Sequence, residues 1–204
     1  MNFQCIQLWS RSSHSVRART RSCRRCLAIL LSFSAVALAQ IAQTPKQTSA
    51  QEEFDRIKGL SGNWEGLVTT VPKMPQSGDG NRIHVVMRVT SRGNALMHEI
   101  PPTGVPDDPT SYDHPLTMLY LDGDRLLLTH YCDAGNRPRM AAHISPDNKT
   151  VQFELLDVAG STMLGHMQRA AFTFIDNNHH TEDWTYIMPD GTPLVAHFDL
   201  RRLK

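Results

Sequence analysis

Beyond Gly62 the chain alternates between apolar and polar positions with a period of two residues, and turn-forming residues interrupt the pattern at short intervals. Each alternating run predicts a β-strand. The predicted strands are 64–71, 82–91, 95–100, 116–121, 125–132, 137–144, 151–157, 166–175, 181–188 and 194–201. Consecutive strands with short links form an antiparallel meander, and closing it removes both exposed edges. The sequence therefore predicts an all-β fold, a single antiparallel up-and-down β-barrel of about ten strands.

A different period precedes the strands. Phe54, Ile57 and Leu60 are apolar at helical spacing, and acidic residues stand at the beginning of this segment. Acidic residues favour the N-terminal turn of a helix, so residues 52–60 are predicted to form a short α-helix. We expect this N-terminal helix to cap the barrel, giving one domain over residues 51–204.

The first part of the chain has the composition of an export signal. Residues 1–26 contain six arginines and no acidic residue, and an apolar run follows from 26 to 39, ending in Ala37-Leu38-Ala39. A basic region, a short apolar core and a small-x-small ending predict a signal peptide over residues 1–39. Arg24 and Arg25 leave twin-arginine export open beside general secretion. Residues 40–50 are polar and predict a flexible tether, and the protein is expected in the periplasm or outside the cell.

Removing residues 1–39 changes the charge and the cysteine content. The remaining chain has 15 basic and 20 acidic residues, a formal charge of −5. An acidic chain without a Lys/Arg run is not expected to bind nucleic acid or anionic lipid, and no stable membrane anchor is expected after cleavage. Cys132 is the cysteine that remains, so no internal disulfide is expected. The sequence leaves the oligomeric state open.

One motif resembles a known superfamily. The segment LSGNWEG, 60–66, places a helical turn before a Gly-x-Trp at the first strand, and it is similar to the opening motif of calycin barrels. These include the lipocalins, the fatty-acid-binding proteins and the nitrobindins. The resemblance implies that Trp64 closes the bottom of the barrel and that Gly62 allows the tight turn beneath it. The segment LVTTVPKM that follows departs from nitrobindins, which have further glycines there, and HYCDAGNRP, 130–138, is similar to exported bacterial barrels of uncharacterised function.

A barrel of this size encloses a cavity above a filled base, so a small hydrophobic or amphipathic ligand is expected, bound without chemistry. The strand period predicts which side chains face inward. They are Ile83, Val85, Met87 and Val89; Trp184, Tyr186 and Met188; and Leu194, Ala196, Phe198 and Leu200. Arg82, His84, Arg88, Thr90, Asp183, Thr185, His197, Asp199 and Arg201 are predicted to face outward.

The segment LTHYCDAGNRPRM, 128–140, gathers several chemically distinct side chains at one hairpin. With a four-residue loop at 133–136, His130, Cys132, Arg137 and Arg139 would share a face, with Tyr131 and Met140 opposite; a loop one residue longer or shorter reverses this relation. In one interpretation His130 and the arginines bind an anionic head group and Tyr131 donates a hydrogen bond. In the other the arginines are solvated and the loop is an ordinary turn. The ligand-binding candidates are His130, Tyr131, Arg137, Arg139, Met140, Trp184 and Tyr186.

Three other functions remain open. The resemblance to nitrobindins implies haem bound through a histidine on the last strand, a place that His197 occupies, although its face argues against that role. An enzyme could use His130, Tyr131 and Arg137 at the mouth of the barrel, and Cys132 shares a face with His130. A filled barrel could bind another protein. No metal is expected, because His180 and Glu182 share a face without a third ligand.

The longest irregular segment is 100–115, which contains five prolines. Proline restricts the unfolded chain, so we expect a stiff loop. It could act as a lid, with Tyr112, Asp113 and His114 over a ligand, or cover an open seam between strands.

Overall fold

The computed structural model describes residues 49–106 and 108–204. The predicted signal peptide and residues 40–48 of the predicted tether lie outside these described residues. Helix α1 spans Ser49–Lys58, so it begins before the predicted 52–60 and includes the last two residues assigned to the tether. Phe54, Ile57 and Leu60 are buried, as their spacing predicted. Within the described part of the chain, no helix combines the length and apolarity needed to cross a membrane.

Ten strands follow the helix and form a closed antiparallel barrel, which confirms the predicted fold class. They are β1 Gly62–Val71, β2 Arg82–Thr90, β3 Ala95–Glu99, β4 Leu116–Asp122, β5 Arg125–Tyr131, β6 Arg137–Ile144, β7 Thr150–Ala159, β8 His166–Asp176, β9 His179–Ile187 and β10 Pro193–Arg202. Each strand pairs with its neighbours in sequence, and β1 pairs with β10 to close the barrel. Strand β9 begins two residues earlier than predicted, which brings His179 and His180 into the sheet.

Trp64 and Arg202 join the base of the barrel to the end of the helix. Trp64 is fully buried, and its Nε1 donates a hydrogen bond to the carbonyl of Leu60 at 2.7 Å. The Arg202 guanidinium lies 4.2 Å from the centre of the Trp64 ring and donates to the carbonyls of Gly59 and Asn177. A stacked guanidinium can satisfy several carbonyls while remaining partly hydrated. The base is thereby closed by one aromatic side chain and one cation.

The lower interior is filled by side chains that alternate inward from successive strands. The fully buried ones include Trp64, Val85, Leu96, Leu119, Leu128, Met140, Phe153, Phe172 and Leu200. Phe172 contacts Phe153 edge to face, with ring centres 5.9 Å apart. The predicted inward sets on β2, β9 and β10 are largely confirmed. Val89 is the clear exception, because it is exposed at the end of β2.

The β5–β6 hairpin differs from the predicted pairing. Thr129 pairs with Arg139 and Leu128 with Met140, which leaves a loop one residue longer than the four-residue loop assumed. The extra residue reverses the relation between the two strands, so His130 and Arg139 do not share a face. The predicted grouping of His130, Cys132, Arg137 and Arg139 on one face is wrong.

Candidate functional site

A cavity of about 250 Å³ lies above the filled interior. Its wall is mainly apolar and is formed by Ile100, Pro115, Met167, Trp184, Leu194, Ala196 and Phe198, with Ser77, Asp113, His130, Cys132, Asp133 and Tyr186 as its polar or thiol members. The loop 100–115 borders the opening through Ile100, Asp113 and Pro115. Strands β3 and β4 pair from Ala95 to Glu99, so this loop has no open seam to cover. It belongs to the rim of the cavity.

The structure separates the ligand-binding candidates into three groups. His130, Trp184 and Tyr186 line the cavity, whereas Met140 is fully buried in the filled interior. The other three, Tyr131, Arg137 and Arg139, are exposed. Arg139 forms an ion pair with Asp157 on the outer surface. The arginines therefore do not contribute to the wall of the cavity, although the interpretation with an anionic head group requires them there.

His197 lies on the outer face of β10, as its strand period predicted. Its Nδ1 is 2.8 Å from the Asp183 carboxylate, and its side chain is 40% exposed. A haem group enclosed by the barrel would need an inward histidine on this strand. The residues present at this position do not fit haem.

A layer of polar side chains adjoins the cavity and extends along β9 towards Trp64 at the base. This polar layer consists of His98, Thr117, His130, His180, Glu182 and Trp184, and all six are buried. His98, Thr117 and His130 are register neighbours on β3, β4 and β5, while the other three alternate along β9. Trp184 belongs to both regions, because it lines the cavity and packs with its ring centre 5.4 Å from that of His98.

Glu182 is the centre of the polar layer. Its Oε1 lies 2.9 Å from His180 Nε2, and its Oε2 lies 2.9 Å from His98 Nε2 and accepts a hydrogen bond from Trp184 Nε1 at 2.9 Å. Burial alone would raise the pKa of Glu182, but the charge of His98 and the hydrogen bonds from His180 and His98 hold it well below its usual range. The carboxylate is therefore ionised, and both imidazoles carry a proton on Nε2. This arrangement fixes the orientation of the Trp184 indole.

His130 connects the polar layer to the cavity. Its Nδ1 is 2.8 Å from Thr117 Oγ1, and among the described residues no side chain or backbone group hydrogen-bonds its Nε2. Burial lowers the pKa of His130 from 6.5 to about 4, and the charge of His98 acts in the same direction. At neutral pH this ring is uncharged, with Nε2 left for a molecule in the cavity.

The depressed pKa of His130 makes stability depend on pH in a defined window. When the pKa of a group is lower in the folded state than in the unfolded state, the unfolded state takes up the proton first as the pH falls. The contribution of neutral His130 to the free energy of unfolding is therefore complete above pH 6.5 and is lost as the pH falls towards about 4. A shift of that size corresponds to about 3 kcal/mol. We expect urea unfolding at a series of pH values to show this loss in the natural chain and not in His130→Gln. His143 is exposed, so His143→Gln is the control. The prediction is contradicted if the free energy of unfolding changes with pH equally in the natural chain and in His130→Gln.

The thiol at the mouth is not activated. Desolvation raises the pKa of Cys132, and the negative charges of Asp113 and Asp133 act in the same direction. A nucleophilic cysteine needs a positive neighbour that stabilises the thiolate, whereas the His130 ring is neutral. These electrostatics oppose the enzyme alternative in which His130 activates Cys132. Tyr131 and Arg137, the other members of that alternative, are exposed outside the cavity.

Sequence reasoning identified part of the polar layer. It grouped His180 with Glu182, but it gave no role to His98 or Thr117. The contact between His98 and Glu182 joins residues 84 positions apart on strands that do not pair, and no periodic signal predicts such a contact. Among the residues that the structure describes, no group of three or more His, Cys, Asp or Glu side chains is arranged to hold a metal ion.

No protein-family model and no curated protein matches the chain. Among solved structures, it is similar to a protein of unknown function from the DUF3598 family of Nostoc punctiforme PCC 73102, with 10% sequence identity and a TM-score of 0.39. The match covers 72% of this chain and 48% of that protein, so the chain spans about half the length of its structural neighbour. A similarity of this degree carries no argument about function.

Proposed function

We propose that this protein is an exported, calycin-like barrel that binds one small hydrophobic or amphipathic molecule in the cavity above the polar layer, without chemistry. The observation that carries the proposal is the cavity itself: a mainly apolar wall with a few polar groups grouped around its mouth and floor. Ligand sites in proteins have this composition, because apolar area supplies affinity and a few polar atoms fix orientation. The export signal predicted over residues 1–39 supports the location.

The size of the cavity limits the ligand. A volume of about 250 Å³ corresponds to about eight water molecules at liquid density. Sites for drug-sized ligands enclose about 300–1,000 Å³, so the proposed ligand is smaller than these. A chain of about eight carbons, or a single ring with a short substituent, matches the space.

Native mass spectrometry of protein purified gently after export tests the proposal, together with an absorption spectrum of the same sample. We expect a bound mass that is lost on denaturation, and no Soret band. An empty protein that also fails to take up added 1-octanol would overturn the binding proposal. A Soret band would show haem binding, which the outward position of His197 opposes.

Filling the cavity should abolish binding without opening the barrel. Ala196 lies on the cavity wall, and Ala196→Phe would place a phenyl ring in that space. We expect the affinity for 1-octanol, measured by isothermal titration calorimetry, to fall at least about tenfold, with a stability cost of about 1–3 kcal/mol from overpacking.

Val195→Phe provides the matched control for Ala196→Phe. Val195 is adjacent on β10 and alternates to the outer face, so the same ring is added outside the barrel. An unchanged affinity for 1-octanol in Ala196→Phe would contradict the assignment of the site to this cavity. Equal losses of affinity in Ala196→Phe and Val195→Phe would contradict it as well.

A further inference from the structure

A second hollow borders the cavity at its mouth. This outer hollow has a volume of about 440 Å³ and is formed by the loop 109–114 and the end of β5. It shares Asp113, Cys132 and Asp133 with the cavity wall, so these three residues border both spaces. Tyr112 and Tyr131 also line the hollow, and both side chains are exposed. A molecule with its body in the cavity would place its other end here.

The junction between the two spaces is negatively charged. The backbone N–H of Asp133 donates to Asp113 Oδ1 at 3.0 Å, which keeps the two residues adjacent. Desolvation raises the pKa of Asp113, and the negative charge of Asp133 raises it further, so its ionised form lacks full stabilisation. Among the described residues that line either space, none is a lysine or an arginine. A positive charge at the junction would relieve the repulsion between the two carboxylates.

His130 is a second, independent indication of a ligand. It is buried, it lines the cavity, and its Nε2 has no hydrogen-bond partner among the described residues. Such an atom is normally satisfied by protein or by ordered water, and a ligand in the cavity can take the place of that water at His130 Nε2. The neutral ring also lets a cation approach, which a charged imidazole would oppose.

The proposed function names a hydrophobic or amphipathic ligand; resting on it, we propose that the ligand is an organic cation, with its apolar body in the cavity and an ammonium group between Asp113 and Asp133. The faces of Tyr112 and Tyr131 add the electrostatic attraction that aromatic rings offer to alkylammonium groups. A carboxylate head group at the same place would meet two negative charges. The mouth is thus suited to a cation, whereas the interpretation based on Arg137 and Arg139 gave it an anionic head group.

Three probes with one apolar body and different head groups test the charge preference. Octyltrimethylammonium, 1-octanol and octanoate should be compared by isothermal titration calorimetry at neutral pH and low salt. We expect the cation to bind about tenfold more tightly than the alcohol, since two exposed charge contacts and a cation–π contact have about that combined effect. Octanoate should bind more weakly than the alcohol, and high salt should reduce the advantage of the cation.

A double variant assigns the preference to the junction. Asp113→Asn with Asp133→Asn should abolish the advantage of octyltrimethylammonium over 1-octanol, measured as the ratio of the two affinities in the same variant. The control is Asp122→Asn with Asp124→Asn, which removes the same charge from the β4–β5 turn at the other end of β5. Binding of the alcohol without any preference for the cation, or a preference that survives the Asp113 and Asp133 changes, would overturn this inference and leave the proposed function standing. If none of the three probes binds, the proposed function fails as well.

Discussion

Replacing Glu182 by alanine is expected to lower the free energy of unfolding by about 3–5 kcal/mol, because it removes the common partner of a buried charged network. The Nε2 atoms of His98 and His180 and the Nε1 atom of Trp184 would each lose an acceptor. His98 and His180 are fully buried, so the desolvation of their Nε2 atoms is left uncompensated. Equilibrium urea unfolding followed by far-ultraviolet circular dichroism measures the change.

Two further variants make the Glu182 experiment specific. Glu182→Gln keeps one acceptor oxygen in the same shape, so it should lose less stability than Glu182→Ala and remain measurable if the alanine variant does not fold. Glu154→Ala removes an exposed carboxylate that pairs with Arg169 at 2.9 Å, and it should cost less than about 1 kcal/mol. A loss from Glu182→Ala no larger than that from Glu154→Ala would show that the buried network contributes little to stability. Near-ultraviolet circular dichroism should also change, because the network orients Trp184.

Truncation of Trp64 is the second large expected effect. Trp64→Ala should lower the free energy of unfolding by about 3–5 kcal/mol, the range for a buried aromatic side chain cut back to a methyl group. The ring is fully buried, contacts the His180 ring with centres 4.2 Å apart, and lies under the Arg202 guanidinium. Its removal therefore leaves a cavity at the base and takes away the surface on which Arg202 stacks. Urea unfolding gives the loss.

Trp64→Phe is the matched variant, because it keeps an aromatic face for Arg202 and loses the hydrogen bond to the Leu60 carbonyl together with part of the volume. It should cost clearly less than Trp64→Ala. A loss below about 1 kcal/mol for the alanine variant would contradict the role given to Trp64 in closing the base.

The strand pattern predicted most of the fold. Alternation determines which face a residue occupies, and the barrel confirmed it for Trp184, Phe198 and the outward His197. The length of a hairpin loop was harder to predict. One additional loop residue changed the relation of β5 to β6, so Arg139 faces solvent beside Asp157 instead of sharing a face with His130. Turn composition indicates where a loop lies but does not fix its length.

The candidate site was only partly predictable. Sequence reasoning named Trp184 and Tyr186 from the inward period of β9, and it named His130 because the hairpin at 128–140 gathers several polar side chains. It did not give a role to His98, whose partner Glu182 comes from a distant strand, and it did not predict that Asp113 of loop 100–115 lies beside Asp133 of the β5–β6 loop. Contacts across the interior depend on how strands stagger around a closed barrel, and one sequence does not determine that stagger.

The pairing of β1 with β10 has a consequence for the order in which the barrel can form. It joins Trp64 to Arg202, so the last seam closes only after every other strand is available. Contacts between such distant segments are slow to form because a long loop must first be ordered. Until then the unpaired edges of β1 and β9 can pair with other chains. During synthesis, an unfinished chain is therefore most exposed to aggregation just before β10 joins, and the stacking of Arg202 on Trp64 holds the last strand in place once it has paired.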